Sequence, residues 1–289
     1  MAINYDSKES ILECLQKNGL RLTKRFGQNF LTERKFRERI VESLDMRKDE
    51  SVWEIGPGIG ALTHHLIRNE IVLSVFEIDR GFYPVLEDEY GPLGNFRLIK
   101  GDFLKTWKDY YSQNTPDKII GNLPYSVGSV IIGELVKNDV CAEKMVFTLQ
   151  KEVVDRITAK PSTKEYSAFS MICQYKWKCV KLGTIPRNAF FPVPDVTSAY
   201  LSMDRDDSGS SVERDIYDTF VNDIFLSRRK TIRNNLKKGR ITGRYPYQTV
   251  IECCMEAGVA PERRGETLGV EEAVCICEKL KRSDAPRIN

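Results

Sequence analysis

Between Ser51 and Gln150, short apolar runs alternate with segments of helical spacing, and nothing else in the sequence constrains the fold as tightly. Ser51–Ile55, Ile71–Phe76, Phe96–Ile99, Asp117–Gly121 and Lys144–Leu149 read as strands. Ala61–Arg68, Gly81–Tyr90 and Ser129–Lys137 between them read as helices. Such alternation belongs to a parallel sheet with crossover helices packed on its faces. Two later extended segments, Trp177–Thr184 and Val196–Met203, are expected to close the sheet. The polar run from Asp204 to Ser211 reads as a linker. Beyond it Ile216, Phe220, Ile224, Ile232 and Leu236 recur at helical spacing, followed by Tyr247–Ala257 and Val270–Leu280. The expectation is a doubly wound α/β domain over residues 1–204 and a small all-helical domain over 212–289.

Composition narrows the chemistry. Hydrophobic residues make up 41% of the 289 positions, enough for a packed core, and no apolar run is long enough to span a bilayer. The N-terminus carries Asp6, Lys8 and Glu9 with no apolar stretch of the secretory kind, so a cytoplasmic location is expected. The eight cysteines include no C-x-x-C pair, and the two histidines, His64 and His65, are adjacent. No metal site is expected, and the cysteines read as small apolar core residues.

Trp53-Glu-Ile-Gly-Pro-Gly-Ile-Gly-Ala61 is a strand entering a glycine-rich turn and then a helix. Such a turn lets a ligand approach the main chain at a helix N-terminus. Glu77, about twenty positions on at the end of the next strand, is placed to bind ribose hydroxyls. Asp102, after the third strand, is placed to accept from an adenine amino group. By itself the loop leaves a nicotinamide enzyme open, because Gly56, Gly58 and Ala61 also satisfy G-x-G-x-x-G/A.

The fourth strand runs into Asn122-Leu-Pro-Tyr-Ser126. An amide acceptor, a carbonyl stiffened by proline and an aromatic face suit a planar base bearing an exocyclic amine. If Asn122 and the Leu123 carbonyl accept the two amine hydrogens, the nitrogen lone pair is freed from the ring and directed at an electrophile. Tyr125 would stack on the ring. This is catalysis by positioning and electrostatics, without a general base. Cytosine-C5 methylation is disfavoured, because no cysteine nucleophile stands near this strand.

Asn122-Leu-Pro-Tyr125 resembles the signature of amino-group methyltransferases that use S-adenosylmethionine. In order along the chain stand Gly27-Gln-Asn-Phe-Leu31, the glycine loop, Phe76-Glu-Ile-Asp79, Gly101-Asp102, Leu149-Gln-Lys-Glu-Val153, Phe190 with Pro192 and Pro194, Val196-Thr-Ser-Ala199, and Arg228-Arg-Lys-Thr-Ile-Arg-Asn234. Together these resemble the ribosomal RNA adenine dimethyltransferase family, best matching its small-subunit, kasugamycin-sensitivity branch, over nearly the whole chain. The resemblance implies a mostly parallel, seven-stranded Rossmann-like methyltransferase sheet. It also implies transfer of two methyls to N6 of each of two adjacent adenines in the 3′-terminal hairpin loop of small-subunit rRNA. By the same resemblance, Asn29, Leu31, Gly56, Glu77, Asp102 and Asn122 hold the donor, and Tyr125 and Phe190 sandwich the target adenine. The substrate implied is rRNA within an immature 30S particle, and the enzyme is expected to act as a monomer. The chain departs from the family pattern at Ser126, Ser162, Ser167, Asp195 and Thr197.

Two basic clusters flank these motifs. The first is Arg21, Lys24, Arg25, Arg34, Lys35, Arg37 and Arg39. The second is Arg228, Arg229, Lys230, Arg233, Lys237, Lys238, Arg240 and Arg244. Both are expected to track a phosphate backbone, with Arg229 or Arg233 able to pair with carboxylates instead. Two alternatives keep the fold: a large-subunit rRNA adenine methyltransferase of the macrolide-resistance type, and a non-enzymatic RNA-binding assembly factor.

Overall fold

The computed structural model describes residues 3–20, 29–206 and 212–283. In chain order the elements are α1 (Lys8–Lys17), β1 (Phe30–Leu31), α2 (Arg34–Glu42), β2 (Ser51–Ile55), α3 (Thr63–Leu66), β3 (Val72–Glu77), α4 (Tyr83–Tyr90), β4 (Phe96–Lys100) and α5 (Phe103–Tyr111). There follow β5 (Lys118–Asn122), α6 (Gly128–Lys137), β6 (Lys144–Gln150), α7 (Lys151–Ile157), α8 (Ala168–Gln174), β7 (Trp177–Ile185), β8 (Phe190–Phe191) and β9 (Ser198–Arg205). The chain ends in α9 (Arg214–Ile224), α10 (Ile232–Leu236), α11 (Tyr247–Glu256) and α12 (Val270–Ser283).

Seven strands form one sheet in the order β4-β3-β2-β5-β6-β9-β7, and β1 pairs separately with β8. The pairings from β4 to β6 are parallel, and β9 lies antiparallel to β6. The seven strands expected from apolar patterning are all present. Side chains alternate between the two faces. Val52, Leu73, Val75, Ile120 and Val146 belong to one apolar cluster together with residues of α1, α2, α4 and the β1–β8 pair. Trp53 and Phe76 are also buried, 4.9 Å apart, and Phe76 meets Phe103 of α5 edge-on at 5.0 Å.

The chain divides into two compact units, and the division is not the expected cut near the linker. Residues 1–154 and 178–205 form the first unit; 155–177 and 206–289 form the second. The segment 155–177 joins the helices because its polar groups are satisfied there. The Tyr166 hydroxyl donates to the Leu268 carbonyl at 2.8 Å, and Arg214 donates to the Ile172 carbonyl at 2.7 Å. Tyr175 stacks on Tyr217 with ring centroids 4.0 Å apart. Linker residues 207–211 lie outside the described residues. Of the eight cysteines in the sequence, Cys173, Cys253, Cys254 and Cys277 are buried. Burial pushes the Cys254 thiol up to about 12, as suits an apolar role.

Candidate active site

Strand order reverses between β2 and β5. Open α/β sheets bind ligands in the crevice that such a reversal opens at the carboxyl ends of the strands. The register Glu54↔Ile120 brings the two following loops side by side. This closeness requires Gly121: a Cβ there would stand 2.8 Å from the Ile55 carbonyl oxygen. Gly56 turns the chain out of β2 at φ +71°, in the left-handed region, and a Cβ on it would project into open space. The result is a cradle of bare backbone at the mouth of the crevice.

Two adjoining cavities occupy this crevice. The first, with about 630 Å³ of empty space open to solvent, is lined by Asn29, Leu31, Glu54, Gly56, Glu77 and Asn122 among others. The second, about 840 Å³, is lined by Gly56, Ile78, Asp102, Leu104, Pro124 and Ser126 among others.

Two carboxylates shape the first cavity, and both are buried. Glu77 accepts from the Gly58 amide at 2.9 Å and the Asp79 amide at 2.7 Å, which fixes its head against the glycine loop. Burial pushes its carboxyl up to about 7, against the downward pull of those amides. Glu54 accepts from the Thr63 hydroxyl at 2.6 Å, and burial raises it to about 8. A cationic guest relieves the cost of ionising both. In the second cavity Asp102 caps α5, accepting from the Leu104 amide at 3.1 Å.

Asn122 ends β5. Its Nδ2 donates to the Asn29 carbonyl at 2.9 Å, so the acceptor Oδ1 is the end of the amide left for a ligand. Leu123 is buried, and its amide donates to the Thr148 carbonyl at 3.1 Å, which ties the turn to β6. Tyr125 is half-buried, its hydroxyl 2.5 Å from that of Ser198.

With this geometry in view, comparison with known proteins gives one family. The model described as "Ribosomal RNA adenine dimethylase" matches residues 19–273. The chain belongs to the ribosomal RNA adenine dimethylase family. Curated relatives named "Ribosomal RNA small subunit methyltransferase A" include one from Borreliella burgdorferi, 41% identical over 97% of this chain and 96% of its own length. Another, from Treponema denticola, is 36% identical with 95% of each covered. Among solved structures, a dimethyladenosine transferase from Plasmodium falciparum superimposes with a TM-score of 0.73 at 20% identity, over 86% of this chain and 96% of that one. The 23S rRNA methyltransferase ErmE superimposes at 0.66 with 24% identity, over 88% and 100%. These two likenesses speak to the fold, the Rossmann-like sheet of rRNA methyltransferases.

The dimethylase reading of individual residues meets this structure unevenly. Asn29, Leu31, Gly56, Glu77 and Asn122 line one cavity, and Asp102 lines the other. Phe190 departs from its expected role. It is fully buried in the cluster that holds Phe30, Leu31 and Ala189, so its ring presents no face to a base in this form. The cause is its register: Phe190 pairs with Leu31 across the β1–β8 ladder.

The basic clusters also divide. Arg228 donates to the carbonyls of Lys164 at 2.7 Å and Thr163 at 2.8 Å and pairs with Glu266, so it braces the helical unit. Arg233 pairs with Glu262 at 2.9 Å. Arg229, Lys230, Lys237 and Lys238 are exposed and form no ion pair among the described residues. In the first cluster Arg37 is buried and donates to the carbonyls of Leu31 at 2.9 Å and Thr32 at 2.7 Å. It serves the cavity wall rather than a phosphate. Arg34 pairs with Glu38 at 2.6 Å, whereas Arg21, Lys24 and Arg25 lie outside the described residues, as do Gly27 and Gln28. Glu54 and Ser198 carry no assigned role in the sequence reading, and Arg37 stands there only as one cation of a basic run. Glu54 could have been found, since it opens the glycine motif; burial of Arg37 leaves no local signal.

Proposed function

We propose that this chain transfers methyl groups from S-adenosylmethionine to N6 of two adjacent adenines in the 3′-terminal hairpin loop of small-subunit rRNA. It acts as a monomer on an immature 30S particle in the cytoplasm. The observation that carries the reading is the Asn122 amide, anchored on Asn29 at the strand-order reversal, where the donor crevice meets the Asn-Leu-Pro-Tyr turn.

The residues present fit the donor. Its two ribose hydroxyls find the fixed carboxyl of Glu77, and its adenine amine finds Asp102. Its positive charge finds Glu54 and Glu77, whose ionisation burial otherwise opposes. Gly56 leaves room for the methionine moiety against bare backbone. When bound, the donor supplies a methyl carbon made electrophilic by its sulfonium. The chain does the rest by position: Asn122 Oδ1 and the Leu123 carbonyl accept the amine hydrogens and hold the nitrogen lone pair toward that carbon. Tyr125, half-buried in the turn beside the crevice, stacks on the base, worth about 1–3 kcal/mol, which offsets part of the cost of extruding a loop adenine. A stacking role for Phe190 requires its β1–β8 surroundings to open when RNA binds.

The test is transfer of labelled methyl groups to unmethylated small subunits and, in parallel, to naked large-subunit RNA. Small subunits should be the labelled species, and Asn122→Ala should reduce labelling at least about 100-fold. Preferential labelling of large-subunit RNA would overturn the substrate assignment. RNA binding without any labelling would favour an assembly factor.

A further inference from the structure

We propose that Ser198 is a positioning residue for the target base: its hydroxyl pins the tip of Tyr125 and so sets the angle at which the ring receives an extruded adenine. The inference rests on the assignment of Tyr125 to that base. Tyr125 stands in a turn between β5 and α6, outside any regular element, so the backbone alone gives its ring little constraint. Ser198, by contrast, is immobilised. It is fully buried as the first residue of β9 and sits opposite Gln150 in the β6 ladder. Next to it the Lys151 amide donates to the Thr197 carbonyl at 2.9 Å. The 2.5 Å contact between the two hydroxyls therefore ties the far end of a side chain on a turn to the rigid end of the sheet.

Two consequences follow. The phenol is committed to Ser198, so Tyr125 acts through its face and not through its proton. Removing either hydroxyl should also produce the same defect, because each exists for the other.

The experiment is a double-mutant cycle on Ser198→Ala and Tyr125→Phe, with Tyr125→Ala as reference, reading kcat and KM for rRNA, donor affinity and thermal midpoint. Each single variant should lose about 3- to 10-fold in kcat/KM for RNA, the weight of one hydrogen bond, with donor affinity unchanged. The double variant should be no worse than either single one, Ser198→Thr should restore activity, and Tyr125→Ala should be the most impaired. Losses that multiply in the double variant, or that follow a fallen thermal midpoint, would reduce Ser198 to a structural role. An active Ser198→Ala beside an impaired Tyr125→Ala would overturn the positioning role alone. A fully active Tyr125→Ala would overturn the stacking assignment beneath it.

Discussion

Glu54 and Glu77 hold protons in the folded chain that the unfolded chain releases near the ordinary carboxylate range, since burial raises them to about 8 and about 7. The folded state therefore binds more protons between roughly pH 4.5 and 8, and this contribution to stability is present at low pH and lost as pH rises. Glu54→Gln keeps an acceptor for Thr63 and removes the titration. In urea melts from pH 5 to 8.5 the variant should gain on the wild type as pH rises, by an amount of order a few kcal/mol. Parallel curves would show that Glu54 does not titrate in this window. Glu77→Gln keeps part of the amide cradle but loses an acceptor for the ribose hydroxyls. Calorimetry should find donor binding weakened about tenfold or more, with the fold intact.

At the scale of elements, the wall that carries Asn29 and Leu31 rests on a two-residue ladder, β1 with β8, which is too short to hold itself. Arg37 reinforces it through the Leu31 and Thr32 carbonyls, beside the Thr32 amide and hydroxyl, which donate to the Ala189 carbonyl at 2.8 and 3.0 Å. Arg37→Leu leaves those buried carbonyls without a donor, and chemical denaturation should register a loss of at least about 2 kcal/mol together with weaker donor binding. The neighbouring turn after β4 offers a second test. Asp102→Ala removes the cap of α5 and should lower stability by about 1 kcal/mol while weakening donor binding.

These elements also mark where the sequence was readable. The strands β2 to β6 were legible because their apolar runs are bounded by turn residues, and the glycine and Asn-Leu-Pro-Tyr loops because their residue types encode their chemistry. Helix α5 is not legible in the sequence beyond Asp102 at its start: its many aromatics, Phe103, Trp107, Tyr110 and Tyr111, carry no helix-favouring signal of their own. The β1–β8 pair has no local pattern at all, and with it the burial of Phe190 and Arg37 was hidden. A phenylalanine in a family motif and an arginine in a basic run take their roles from what tertiary structure packs around them.

At the scale of the whole molecule, the helical unit presents Arg229, Lys230, Lys237 and Lys238 to solvent, whereas Arg228 staples its own loops. Reversing charge at Lys237 and Lys238 should weaken rRNA binding and flatten its salt dependence by about 0.7–0.9 in the log–log slope for each phosphate no longer neutralised. Arg228→Ala should instead lower the unit's thermal midpoint. The most direct test of the central claim is mass spectrometry of nucleosides from unmethylated small subunits incubated with the protein and S-adenosylmethionine. The expected product is N6,N6-dimethyladenosine from two adjacent positions in the 3′-terminal hairpin, reduced at least about 100-fold by Asn122→Ala. Adenines left unmodified by a protein that binds both donor and particle would contradict it.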